Sequence, residues 1–500
     1  MSLQLSRLRP RLGPRLPLYV STMRATQRSK NTYAPWSGPS NHPTPVIPSA
    51  GKHGGARFPL LPPSGGTPPS YPSTPPLPPP PSGYERSLHA LPAAYPRQLV
   101  ESSGTLERRS RPYGTVPPKE GKEERAARLA AERDAAVATR ADARVWDVAG
   151  GEVEPEALET PPQWIAAERW RRAESTDDAE GVTLVFLHAN GFQKEHFHPM
   201  ARGLLERSSE PSAAFGTPAP LANPTPLPPI DDIWFLDDVH HGDSVTLNAG
   251  LLGPALTWED TARDVANFVK HVVPLSDKAA PEHVPWRTSA QPRRVIGIGH
   301  SFGGNALVQA SAAHPQLFDA LFLIEPMTIP VLVNDPAKGW PFTLGALKRR
   351  DTWPSREAAA EANRNSPLFK SWSDDVFALW LSHSLVPTGE GEAVTLSTPG
   401  WCEAACFSNG ESPQRGWDAL PSVRVPTGFV MAGDPVWMCG EAIANELVWR
   451  PELARNEVIP DAGHMAVQEK PGELADALAR FLATIEAGEW TRGDKPQAKL

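Results

Sequence analysis

The sequence predicts an α/β fold: a mostly parallel sheet with helices on both faces, an inserted helical cap, and a proline-rich arm ahead of it. Three observations carry this reading. Apolar, β-rich runs recur between residues 182 and 464, each ending in a polar or glycine-rich cluster, with helical stretches between several of them. Continuous apolar strands alternating with helices argue for parallel strands covered on both sides. At 297–307 the stretch "GIGHSFGGNAL" sets a serine among glycines where an apolar run gives way to a helical one. From about 327 to 425 the alternation lapses and aromatic residues gather.

The chain has 500 residues, a net charge of -8 and 40% hydrophobic content, enough for more than one compact unit. Proline accounts for 58 residues, many of them before Pro118. A segment such as "TPPSYPSTPPLPPPPSGY" lacks amide donors and has fixed φ angles, so residues 1–118 are expected to form a disordered arm. The first 30 residues are rich in arginine and contain no acid, which resembles a mitochondrial transit peptide. Pro10, Pro14 and Pro17 argue against the amphipathic helix that such a signal needs. No stretch of about 18 uninterrupted apolar residues occurs, so no membrane span is predicted. Cys402, Cys406 and Cys439 form neither a disulfide framework nor a zinc spacing. The mild negative charge gives no reason to expect nucleic acid as a partner.

Residues 119–180 read as a helical lead-in: 119–145 is rich in Ala, Glu and Arg, and "PPQWIAAERWRRAES" suggests a short helical or edge segment. The compact domain is expected over 181–490, with a flexible tail at 491–500. Its strands are expected within "VTLVFLHAN", "IDDIWFLDDVHHGDS", "RRVIGIGHS", "FDALFLIEPM", "PTGFVMAGD" and "ARNEVIPDAGH". "TWEDTARDVANFVKHVV" supplies a helix between them. The cap, at about 327–425, contains Trp340, Phe342, Trp353, Phe369, Trp372, Phe377 and Trp380. Val376, Leu379 and Trp380 have helical apolar spacing. In sheets of this type, ligands bind at the carboxyl ends of the strands.

Gly299-His300-Ser301-Phe302-Gly303 fits G-x-S-x-G between a strand and a helix. The sharp turn needs small neighbours and projects the Ser301 hydroxyl outward. The Phe302 amide then faces the same space from a helix N-terminus, which favours a developing anion. A serine hydroxyl needs a base. His464 follows Gly463 after the last strand and precedes an amphipathic helix. Two carboxylates remain for the acid that orients it, Glu325 in "FLIEPM" and Asp434 in "MAGDPVW". Glu325 is favoured, because Asp434 follows Gly433 directly and Val436 occupies the place where the acid after such a strand usually stands. A second oxyanion donor is expected from the Asn190 or Gly191 amide in "LHANGF". His188, Phe192 and His300 are expected around the substrate pocket, His188 as a loop brace and His300 as packing or pocket wall. Gly242 and Ser244 should shape the turn in "DDVHHGDS", where His240 and His241 lack a metal-ligand spacing.

At "LHANGF", "GHSFGG", "LFLIEP" and "RRDTWPSREAAAEANRNSPLFKSWSDDV" the chain resembles the α/β-hydrolase superfamily. Within it, the chain looks closest to a fungal peroxisomal branch. That branch holds acyl-CoA hydrolases of secondary-metabolite pathways, hydrolases of host-selective toxin pathways and a peroxisomal lipase. The resemblance covers roughly residues 180–485. It implies an acid on the strand after the nucleophile helix, which carries over to Glu325. Those relatives have Asp there, and the longer Glu arm keeps Asp434 open. The final Ala498-Lys499-Leu500 resembles a peroxisomal address read by an import receptor.

The expected function is that of a serine hydrolase acting on an acyl-CoA thioester or a carboxylic ester through an acyl-serine intermediate, with neither metal nor organic cofactor. The alternative is a catalytically silent member of the fold that binds a ligand or a partner. The expected location is the peroxisome, with the mitochondrion or cytoplasm as alternatives.

Overall fold

The computed structural model describes residues 32–33, 68–73, 75–95, 97, 121–128, 130–131, 162–174, 181–217, 220–222, 226–253, 255–273, 294–330, 341–389 and 391–490. The arginine-rich N-terminus, Trp340 and the terminal tripeptide fall outside them. Among the described residues there are eleven strands: β1 Tyr84–Pro92, β2 Trp164–Arg172, β3 Val182–Leu187, β4 Ile230–Leu236, β5 Arg294–His300, β6 Ala320–Ile324, β7 Thr352–Trp353, β8 Leu385–Pro387, β9 Val394–Leu396, β10 Thr427–Ala432 and β11 Ala454–Ile459. Eight of them make one sheet in the order β1-β2-β4-β3-β5-β6-β10-β11. From β4 to β11 every pairing is parallel, and β1 and β2 join antiparallel at one edge.

The six expected runs are β3, β4, β5, β6, β10 and β11. Every residue of β3, β4, β6 and β10 is buried, as strands covered on both faces must be. Helix Trp258–His271 starts at Thr257, whose hydroxyl accepts from the Glu259 N–H. It shares one buried cluster with helix Phe302–Ala313. On the other face, helices His198–Leu205 and Pro471–Glu486 pack against Phe186, Phe235 and Phe322.

Two expectations for the first 180 residues are corrected. The arm is not disordered throughout, because β1 lies within it. The helical alternative for "PPQWIAAERWRRAES" is overturned, because β2 fills Trp164–Arg172 within it; helix is seen at 122–128. The charges of β2 suggest an exposed face, yet Glu168, Arg169 and Arg171 are buried and Arg172 is half-buried. Arg169 bonds Asp232 (2.6 Å) and Arg172 bonds Asp231 (2.5 Å), both acids on β4. Glu168 accepts from the Trp170 indole (2.7 Å) and lies 3.3 Å from His198.

Between β6 and β10 the chain forms the cap. It holds helices Pro341–Lys348, Arg356–Arg364, Asp374–His383, Gly400–Phe407 and Ser412–Ala419, and also a small antiparallel sheet, β7-β9-β8. Trp353, Phe369, Trp372, Phe377 and Trp380 form its core together with Ala189 and Phe192 of the main domain. Phe342 packs elsewhere, against the cluster under helix Phe302–Ala313.

Candidate active site

The site starts from a turn that only small residues permit. β5 runs directly into helix Phe302–Ala313, with Ser301 at φ 54° between them. A Cβ on Gly299 would meet the Gly304 backbone at 2.7 Å, and one on Gly303 would meet the Leu187 carbonyl oxygen at 2.4 Å. The glycines thus let the helix start tight against β3 and β5. The Ser301 N–H donates to the Ile324 carbonyl (3.0 Å), and the Ser301 carbonyl accepts from Met327 (2.9 Å). A residue so over-determined can hold a left-handed conformation that costs about 1–3 kcal/mol.

Three side chains from distant segments meet here. His464 Nε2 is 2.9 Å from Ser301 Oγ, and His464 Nδ1 is 3.2 Å from Glu325 Oε2. Glu325 has φ 43° and is fully buried. Its other oxygen accepts from the Ala432 N–H (2.7 Å). An imidazole oriented by a carboxylate and touching a hydroxyl is arranged to take that hydroxyl's proton. Asp434 does something else: its carboxylate caps the short helix Pro435–Met438 by accepting from Val436 N–H (3.2 Å). That helix places Trp437 against His464, with the rings stacked at 5.3 Å.

The Phe302 and Asn190 amides donate to no partner among the described residues, which leaves both for an anion. Gly191 departs from expectation, because its N–H is taken by His241 Nε2 (3.0 Å). Asp238 Oδ1 receives the proton of His241 Nδ1 (3.1 Å), so Nε2 is the acceptor. Burial would raise Asp238, but the hydrogen bonds from His241 Nδ1–H and the His240 N–H outweigh it and hold the carboxylate below its usual range.

The expected pocket histidines are also corrected. His188 is buried: Nδ1–H donates to the Ala189 carbonyl (2.8 Å) and Nε2 accepts from the Asp238 N–H (3.0 Å). Burial, with His241 next to it, pushes this imidazole down to about 3. It braces the loop, as its bracing reading implied, and borders a small cavity of about 20 Å³ beside Asp238 and Phe302. The His300 ring passes under the site and bonds the His464 carbonyl through Nε2 (2.7 Å), so it positions the His464 loop. Burial, then His464, lowers it to about 3. Phe192 does line a cavity, described below.

Sequence reasoning passed over two groups around this loop. His241 and Asp238 are one; the acid–histidine spacing in "DDVHHG" was their only signal. The other is buried Lys194, which contacts Asp237 (2.9 Å), Asp243 (2.7 Å) and Glu195 (2.7 Å). Burial alone would lower Lys194; Asp237, Asp243 and Glu195 instead hold it well above its ordinary value. Among the described residues no group of three or more His, Cys, Asp or Glu is placed to hold a metal ion, and no helix is long and apolar enough to cross a membrane.

A family model described as "Alpha/beta hydrolase family" matches residues 184–477, more than half the chain. The chain belongs to the alpha/beta hydrolase family. Among the relatives of this hydrolase, "Type I acyl-CoA thioesterase mpaH" of Penicillium roqueforti is 30% identical over 199 residues, 39% of this chain and 37% of that protein. "Peroxisomal membrane protein LPX1" of Saccharomyces cerevisiae is 31% identical over 166 residues, 33% of this chain and 35% of that protein. The hydrolase therefore spans little more than a third of the length of these curated relatives. A solved structure of the peroxisomal alpha-beta-hydrolase Lpx1 from Saccharomyces cerevisiae superposes with a TM-score of 0.55 at 19% identity, covering 81% of this chain and 90% of that one. That likeness supports the fold.

Proposed function

We propose that this hydrolase cleaves an acyl thioester or carboxylic ester through an acyl-serine intermediate. The observation that carries the reading is the hydrogen-bonded line Ser301–His464–Glu325 beside two unengaged amides. Ser301 Oγ attacks the acyl carbonyl carbon while His464 Nε2 takes its proton. Glu325 keeps the Nδ1 proton in place and stabilises the imidazolium. The carbonyl oxygen gains the negative charge and is met by the Phe302 and Asn190 amides. Collapse expels the thiolate or alkoxide, which leaves with the proton from His464. Water, activated by the same imidazole, then releases the acid from Ser301.

Relatives named acyl-CoA thioesterases support a thioester substrate, with the thiolate as leaving group. The peroxisomal relative supports residence in that organelle, and recognition of Ala498-Lys499-Leu500 by its import receptor belongs to the same proposal. The test uses the full chain. Thiol release from a panel of acyl-CoAs is followed beside turnover of p-nitrophenyl esters of matched length. Serine-dependent thiol release exceeding ester turnover is expected, with Ser301→Ala inactive. A folded wild-type protein that cleaves neither class, and whose Ser301 resists a fluorophosphonate probe, would overturn the reading in favour of a ligand-binding role.

A further inference from the structure

A cavity of about 200 Å³ lies between the cap and the loop that carries Asn190. Gly191 and Phe192 form its inner side, and Trp353, Phe369 and Trp380 give it aromatic walls. Met465, next to His464 in the chain, packs against the same aromatic cluster. The cavity is tied to the proposed reaction centre through Gly191, which follows Asn190 in the chain.

The polar lining is one-sided. Arg349 and Arg350 line the cavity, and no acid does. The Arg349 guanidinium is already answered by Glu403 (2.7 Å). Arg350 is exposed, lies over the Trp353 ring (5.5 Å) and donates Nε–H to the Thr352 carbonyl (2.9 Å). It pairs with no carboxylate among the described residues. Trp353 is only 3% exposed, yet its indole Nε1–H has no acceptor among the described residues. Arg349 Nε is likewise buried without an acceptor among them. A buried donor left unpaired costs about 1–3 kcal/mol, so two of them beside an uncommitted guanidinium call for an acceptor that arrives with a ligand.

Resting on the hydrolase reading above, we propose that this cavity is an anion-terminated substrate subsite. Its aromatic walls hold an apolar stretch, and Arg350 with the Trp353 N–H holds an anionic oxygen group beyond it. Two parts of an acyl-CoA have that chemistry: a carboxylate at the far end of the acyl chain, and the phosphates of the coenzyme.

Three thioesters separate the sources: octanoyl-CoA, octanoyl-N-acetylcysteamine, which lacks phosphates, and the mono-N-acetylcysteamine thioester of suberic acid, which adds a terminal carboxylate. Each is measured with wild-type protein, Arg350→Met and Trp353→Phe. The expected result is that Arg350→Met lowers kcat/KM for one anionic substrate about tenfold more than for octanoyl-N-acetylcysteamine, mainly through KM. Trp353→Phe should move the same substrate in the same direction. A selective loss with the suberyl thioester assigns the carboxylate, and one with octanoyl-CoA assigns the phosphates. Equal losses with all three, or none, overturn the subsite. Binding of the same compounds to Ser301→Ala, read by calorimetry, reports the contrast without turnover. An absent reaction with the contrast retained would therefore count against the hydrolase reading and not against the subsite.

Discussion

Glu325 and Asp434 both sit after strands at the same end of the sheet, and their side chains have diverged in work. The left-handed backbone of Glu325 and the Ala432 N–H fix its carboxylate toward His464, while Asp434 is spent on a helix end. Glu325→Gln should lower kcat by about 10²–10⁴ with the fold intact, because the amide no longer stabilises the imidazolium. Asp434→Asn should stay within about twofold, because asparagine also caps helices. Steady-state kinetics on the two purified variants decides the matter, and the reverse ranking would return the acid to Asp434. A Gly303→Ala change should fail to yield soluble protein at the wild-type level, since its Cβ would lie 2.4 Å from the Leu187 oxygen. Ser301 and His464 stand out in the sequence because each follows a recognisable strand, whereas Glu325 and Asp434 both do, so the sequence leaves the acid open between them. For His188, a loop brace set near the pocket, and His300, packing or pocket wall, sequence adjacency left the direction of the ring open; bracing and packing are what the structure shows. Gly191 was read as an oxyanion donor because nothing in "LHANGF" announces that His241, fifty residues on, will take its N–H.

Among the elements, those built from continuous apolar runs were legible, and those whose charges are satisfied internally were not. β2 carries Glu168, Arg169, Arg171 and Arg172, a pattern suggesting solvent until Asp231 and Asp232 of β4 are seen opposite. β1 escaped because prolines surround it and because an edge strand can leave Glu85 exposed to solvent. The small sheet of the cap was missed because two- and three-residue strands have no readable period. The 3₁₀ turn Lys194–Phe197 shows what internal satisfaction is worth. Replacing Lys194 with Met strands three acids, Glu195, Asp237 and Asp243, around an apolar side chain. Such a loss should destabilise the protein by about 3–5 kcal/mol, read as a lowered urea midpoint with an unchanged slope. A midpoint within error of wild type would mean that the cluster is solvated in solution.

For the molecule as a whole, buried histidines dominate the response to acid. Burial is the largest cause of depression in each of six: His188, His196 and His300 are pushed to about 3, His89 and His240 to about 4, and His383 is also lowered. Their unfolded counterparts titrate near 6.5. The unfolded chain therefore binds more protons once the pH falls below about 6.5, and stability falls with it. Asp237 and Asp264, raised to about 6 by burial, and Glu195 and Asp418, also raised by burial, oppose this by letting the folded state take protons first. Six groups outweigh four, so the unfolding midpoint should be level above about pH 7 and drop steadily towards about pH 5. A midpoint that held level or rose on acidification would contradict that balance.

The pairing of β1 with β2 also has a consequence in time. A chain emerges from the ribosome N-terminal end first, so Tyr84–Pro92 is made well before Trp164–Arg172, its partner along the whole strand. β2 in turn needs β4 on its other side, with Asp231 and Asp232 to neutralise its arginines. The earliest strand of the sheet therefore stays unpaired until β2 follows it, and during synthesis it waits beside prolines that offer a stray strand few amides to pair with.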